Sequence, residues 1–355
     1  MVERSGPVWL ALGILLAIPF PGDAAGATHP VSFSRYSVAV EGGTALGYLA
    51  YPTDVVPTTL LVVAHGCCVA WGGWSASVAT GYYRMAAWAA TYGVAVVGMD
   101  YTGNGHWNVA AGARDTLAAT EDLRARWPIQ RTVLWGASMG GEVSGMAVAQ
   151  RPDLFDDWVD QYGVTDLAEE LLVVGGLGLT EPTAAHPTQA GSSWILDETG
   201  GPPGATPEQA WTSRSPAQLA AGMRGLRHAY LVHGVGDTLV PVSQSLRMHD
   251  ALVREGIPVT LRLVTSGAST KDGGVEGPYL PMLGIPTAPT PEGHTVAGHN
   301  NIGAAEAFGI LNVLLAGGEP DAGVPDTVQV IDYHGCWAER YSALSPCRET
   351  LPRLP

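Results

Sequence analysis

Apolar runs alternate along the chain with stretches of helical spacing. Residues Thr59–Ala64 (TLLVVA) and 94–100 (VAVVGMD) are almost wholly apolar, the pattern of strands buried on both faces. Residues 132–137, 157–162, 229–233 and Val259–Val264 read as further strands. Between them the spacing predicts helices over 82–92 (closed by Gly93), 111–127, 141–150 and 242–254, and a last long helix over 301–316. Ahead of this series, Val31–Val40 and 45–50 flank the turn Glu41-Gly42-Gly43 and predict a hairpin. Repeated strand–helix alternation specifies an α/β fold: a mostly parallel central sheet with helices on both faces.

Three stretches depart from the alternation. Residues 165–213, rich in Gly, Pro, Thr and Ala, predict a cap-like excursion, and 265–298 a long loop of the kind that carries function. Residues 317–355 form a tail with one predicted strand, 327–333. At the other end, Arg4 precedes an apolar run over 8–18, followed by the small-residue pattern Ala25-Gly26-Ala27. This is the layout of a secretory signal peptide over 1–27. The run is short against the roughly 20 residues of a membrane span. No second long apolar segment follows, so a secreted or periplasmic protein without a stable membrane anchor after cleavage is expected. The catalytic domain is then 28–316.

Composition narrows the partners. Hydrophobic residues make up 46% of the 355 and charged residues 14%, with a net charge of −15. Lys271 is the one lysine, and no basic run exists, which argues against nucleic acid. Of the four cysteines, Cys336 and Cys347 bracket a short loop and are expected to pair, the local bridge having the smallest chain-entropy cost. Cys67 and Cys68 are adjacent, and their state is left open. No CxxC or His/Cys cluster suggests a metal, and no cofactor is expected.

The chemistry sits at strand ends. Gly136-Ala137-Ser138-Met139-Gly140 is a G-x-S-x-G motif. Chance alone supplies about 0.3 such matches in a chain this rich in glycine, so its context decides. That context is a strand before Ser138 and a helix after it, the sharp turn that presents a nucleophilic serine. His65-Gly66-Cys67 follows the strand TLLVVA, so the Cys67 and Met139 amides are the candidate oxyanion donors. Asp237, four residues beyond the strand AYLVH in a glycine-rich loop, is the candidate acid; Asp157 and Asp160 are rivals more simply read as surface charge. The base belongs between the last strand and the last helix, where His294 and His299 qualify. His299 is preferred because the helix that follows anchors it. Trp71, Trp74 and Trp107 lie in loops near the strand ends and are candidates for lining an apolar pocket, or for packing beneath the loops.

With these residues in view, the chain resembles the α/β-hydrolases, and is similar to the prolyl oligopeptidase catalytic domain and to secreted esterases of the dienelactone-hydrolase type. The resemblance rests on His65-Gly66, Asp100-Tyr101-Thr102-Gly103, residues 136–141 (GASMGG), Arg214-Ser215-Pro216 and residues 233–241 (HGVGDTLVP), and covers about 55–316. It implies a serine hydrolase working through an acyl-enzyme, with Ser138, Asp237 and His299 in that chain order. Some 30 residues between residue 27 and the first central strand leave no room for a β-propeller, so a propeller-gated peptidase is not expected. The expected substrate is a small carboxylic ester. A short peptide or amide is the alternative, and a catalytically inactive binding module is a third reading.

Overall fold

The computed structural model describes residues 28–66, 79, 83–102, 107–176, 191–234, 237, 239–264, 302–321, 326–331 and 348–351. Its strands are β1 (Val31–Val40), β2 (Gly43–Pro52), β3 (Thr59–Ala64), β4 (Ala95–Met99), β5 (Arg131–Ala137), β6 (Asp157–Gln161), β7 (His228–Gly234), β8 (Val259–Val264), β9 (Thr327–Ile331) and β10 (Arg348–Leu351). They form one sheet in the order β1-β2-β4-β3-β5-β6-β7-β8-β9-β10. From β4 through β9 every pairing is parallel. The β1–β2 hairpin and β10 are antiparallel additions at the two edges. The signal-peptide segment and the 265–298 loop lie outside the described residues, as do all four cysteines.

The continuous apolar strands do what their composition requires. On β3, Leu60, Val62 and Ala64 join one hydrophobic cluster while Leu61 and Val63 join a second on the opposite face. Helices α1 (Met85–Tyr92) and α9 (Ile302–Leu315) cover the second face through Trp88, Ile310, Leu311 and Leu314. Helices α2 (Val109–Arg126), α3 (Met139–Gln150) and α8 (Ser243–Arg254) cover the first through Val109, Ala113, Val143, Met146, Met248 and Leu252. Both faces of the parallel strands are therefore removed from water, which such strands need. A buried ion pair, Arg262 Nη1 to Glu306 Oε1 at 2.7 Å, ties α9 to β8 and fixes the helix that follows the candidate base.

The 165–213 excursion carries three helices, α4 (Leu167–Gly176), α5 (Gly191–Thr199) and α6 (Glu208–Thr212), with a turn over 200–207 between the last two, and is followed by the short α7 (Pro216–Leu219). Its start is pinned to the body by Thr165, whose hydroxyl donates to the Gln244 carbonyl at 2.7 Å, and its two ends are tied together by Ser215, whose hydroxyl accepts the Leu167 amide at 3.1 Å. Glu198 of α5 accepts the Ala110 amide at 3.2 Å and pairs with Arg214 at 2.9 Å, so the excursion rests against the start of α2.

Candidate active site

Parallel strands send their carboxyl ends to one edge, so β3, β4, β5 and β7 deliver His65, Tyr101, Ser138 and Asp237 to the same side of the sheet. Ser138 joins β5 to α3 with φ 58° and ψ −127°. A side chain seldom adopts this backbone, and it is held here by three hydrogen bonds. The Ser138 amide donates to the Gln161 carbonyl at 3.0 Å. The Ser138 carbonyl accepts the Gly141 amide at 2.8 Å and the Val164 amide at 3.2 Å. Close approach on both sides explains the motif's glycines: a Cβ on Gly136 would lie 2.2 Å from the Gly140 carbonyl oxygen, and one on Gly140 would lie 2.1 Å from the Ala64 carbonyl oxygen. The strained strand–turn–helix elbow that the spacing implied is therefore present at Ser138.

The turn after β3 is clamped from two sides. The Gly66 amide donates to the Tyr83 hydroxyl at 2.9 Å, and the Tyr101 hydroxyl donates to the His65 carbonyl at 2.9 Å. The His65 ring stacks on Tyr101 with centroids 4.0 Å apart, and its Nδ1 lies 2.8 Å from the Gly66 carbonyl, the position of a donated N–H. Burial lowers the His65 pKa to about 4, so the ring is neutral at pH 7. Gly66 sits over Ser138: a Cβ there would lie 3.8 Å from Ser138 Oγ. The Gly66 amide is occupied by Tyr83, and Cys67, the candidate oxyanion donor, lies outside the described residues. Met139, the other candidate donor, is buried at the first position of α3.

Asp237 has a fully buried side chain whose Oδ1 accepts the Leu239 and Val240 amides at 2.9 and 3.0 Å. Two backbone donors fix the carboxylate's plane, which an orienting acid requires. The neighbouring His233 places its Nε2 3.7 Å from Asp237 Oδ2 and 2.8 Å from the Val240 carbonyl, with Nδ1 2.7 Å from Ser245 Oγ. Both candidate bases, His294 and His299, lie outside the described residues, as do Trp71 and Trp74. Trp107 is 4% exposed and packs in the core with its Nε1 donating to Glu142 Oε2 at 2.9 Å. Among the described residues no group of His, Cys, Asp and Glu could hold a metal.

Two expectations are corrected. Asp157 and Asp160 are not surface charges; both are fully buried. Asp157 starts β6, at the edge remote from Ser138, and is held by Arg131 at 2.9 Å and by Arg227. Asp160 lies under the elbow. Tyr83 and Gln161 were not singled out from the sequence as site residues. Nothing in the chain marks Tyr83 as a partner for Gly66, whereas Gln161 could be found as the residue closing the strand beside the motif.

Comparison with known proteins agrees with this architecture. Residues 81–173, which contain the elbow, match the Prolyl oligopeptidase family. The acylaminoacyl peptidase of Pyrococcus horikoshii superposes with a TM-score of 0.50 at 19% identity, over 66% of this chain and 36% of that one. An acylaminoacyl peptidase in complex with Z-Gly-Gly-Phe-chloromethyl ketone gives the same score and coverage. The chain thus spans little more than a third of the length of these peptidases. No curated protein matches it. The fold is that of the α/β-hydrolases.

Proposed function

We propose that the protein is an exported serine hydrolase that cleaves carboxylic esters through an acyl-enzyme. The observation that carries the reading is the Ser138 elbow, strained at φ 58° at the amino end of α3 and set beneath the clamped His65–Gly66 turn. Ser138 Oγ attacks the ester carbonyl carbon as His299 takes its proton. The carbonyl oxygen becomes an anion facing the Met139 and Cys67 amides and the positive end of α3. The C–O bond to the alcohol then breaks, His299 returns the proton to that alcohol, and water repeats the sequence to release the acid. Asp237 keeps the imidazole in the tautomer that accepts from serine.

Esters ask less of the leaving-group step than amides, which favours them for a site with this equipment. The match to the prolyl oligopeptidase family supports a second reading, a peptidase or amidase acting on short peptides. One preparation assayed against p-nitrophenyl esters and against aminoacyl nitroanilides separates the two: faster turnover of the nitroanilides overturns the esterase reading. Fluorophosphonate labelling that Ser138→Ala abolishes supports the nucleophile, and an unlabelled wild type makes the protein a binding module. Export is tested by the amino terminus of secreted material, expected at Thr28.

A further inference from the structure

Beneath the elbow lies a carboxyl group that the acyl-enzyme scheme does not use. Asp160 pairs with Gly136 across β5 and β6 and is fully buried. Its Oδ1 is wedged between two backbone segments: a Cβ on Gly141 would lie 2.2 Å from it, and one on Gly163 would lie 1.9 Å from it. Those segments carry the frame of the nucleophile. Gly141 donates its amide to the Ser138 carbonyl, and Val164, directly after Gly163, donates to the same oxygen. Each glycine leaves the space of one missing side chain, and the Asp160 carboxyl fills both.

Neither Asp160 oxygen accepts a hydrogen bond among the described residues, although the carboxyl stands beside the first turn of α3. A buried, unpaired carboxylate is costly, and such groups shed their charge. Burial raises the pKa of Asp160 to about 8 and is the single cause of the shift. The ionisable groups on the elements around it are Arg131 on β5, Glu142 on α3, Asp157 and Tyr162 on and after β6, and His228, Tyr230, His233 and Asp237 on and after β7, and none of them contributes to that shift. An apolar side chain at this place would be cheaper, and polar groups retained at such a cost concentrate at working sites.

We propose that Asp160 is the positioning residue of the elbow, an uncharged acid whose carboxyl wedges the Gly141 and Gly163 backbones and so holds Ser138 in its reactive geometry. The proposal rests on Ser138 being the nucleophile. Ionisation of the wedge places an unpaired anion directly under the turn, and the turn yields.

The test is the rate at which an alkyl fluorophosphonate labels the full chain between pH 5 and pH 10. In that reaction the Ser138 Oγ–P bond forms, the P–F bond breaks, fluoride leaves, and the serine proton passes to the histidine. The wild-type rate is expected to fall on the alkaline side with a midpoint of about 8. Asp160→Asn fills the same space without a charge; it should keep at least about a third of the neutral-pH rate and lose the alkaline fall. Asp160→Ala should label at least about tenfold more slowly at pH 7, with the half-saturating reagent concentration unchanged, because the serine is displaced while reagent binding is not. Wild-type labelling by a folded Asp160→Ala, or an alkaline fall retained in Asp160→Asn, overturns the proposal; if Asp160→Ala does not fold, the asparagine profile decides alone. Unfolding provides an arm independent of activity. The folded chain keeps a proton that the unfolded chain releases, so wild-type stability relative to Asp160→Asn should decline as pH rises from about 4 to about 8. A flat difference shows Asp160 to be charged and overturns the neutral wedge, whereas labelling of Ser138→Ala overturns the nucleophile reading instead.

Discussion

The amide of Gly66 donates to the hydroxyl of Tyr83 at 2.9 Å, across seventeen residues of chain. The bond consumes the Gly66 amide and fixes the plane of the His65–Gly66 peptide unit, whose carbonyl accepts the Tyr101 hydroxyl. Tyr83 is 1% exposed, so no solvent replaces the hydroxyl if it is lost.

Tyr83→Phe is therefore expected to leave a buried N–H without its acceptor, at a cost of about 1–3 kcal/mol in unfolding free energy. The turn loses a fixed point, and fluorophosphonate labelling should slow by about tenfold. Denaturant unfolding and the labelling rate, measured on the same variant, check both.

Ser138→Gly is expected to raise stability while destroying activity. Glycine tolerates φ 58° and ψ −127°, which cost a residue with a side chain roughly 1–3 kcal/mol. Labelling should vanish and the unfolding midpoint should rise. A variant that is no more stable than wild type means that the elbow's backbone is not strained.

The neutral His65 has a signature in acid. Its folded pKa of about 4 lies below the ordinary value of 6.5, so the unfolded chain binds the proton first as pH falls. Its contribution is fully present above about pH 6.5 and is lost progressively as pH falls toward 4. His65→Asn keeps a side-chain N–H for the Gly66 carbonyl and cannot titrate. The stability difference between wild type and His65→Asn should therefore slope through this window, as acid unfolding curves at several pH values would show.

The base can be chosen by substitution. His299→Ala is expected to abolish labelling and turnover, since Ser138 then has nowhere to send its proton. His294→Ala should change KM at most. The reverse pattern makes His294 the base and brings the 265–298 loop over the site.

Much of this was legible because the parallel strands are unambiguous. TLLVVA is too apolar for a surface and too short for a typical helix, and its predicted span is the observed one. The elbow was legible because a strand, a tight turn and a helix each leave a separate mark around Ser138. Asp160 was misread for a physical reason: two carboxylates and a glutamine in the five residues 157–161 (DWVDQ) suggest a solvent-facing strand, yet the strand lies between β5 and β7 with both faces covered. The strand β10, with the sequence RETL, carries no hydrophobic period; it is set by its register with β9, Leu351 opposite Val328, which local pattern cannot reveal. The Gly66–Tyr83 bond was hidden because hydrogen bonds across many residues leave no spacing to read.

The register of β10 also bears on how the molecule behaves in concentrated solution. Sheet edges with unpaired amides and carbonyls recruit other chains, and β9 is a β-branched strand (TVQVI) whose outer side is taken by residues 348–351. A preparation clipped upstream of 348 presents that side as a template for a second molecule. Such material should precipitate or self-associate while its nucleophile still reacts, so storage losses of this protein would trace to nicking of its tail and not to decay of its chemistry.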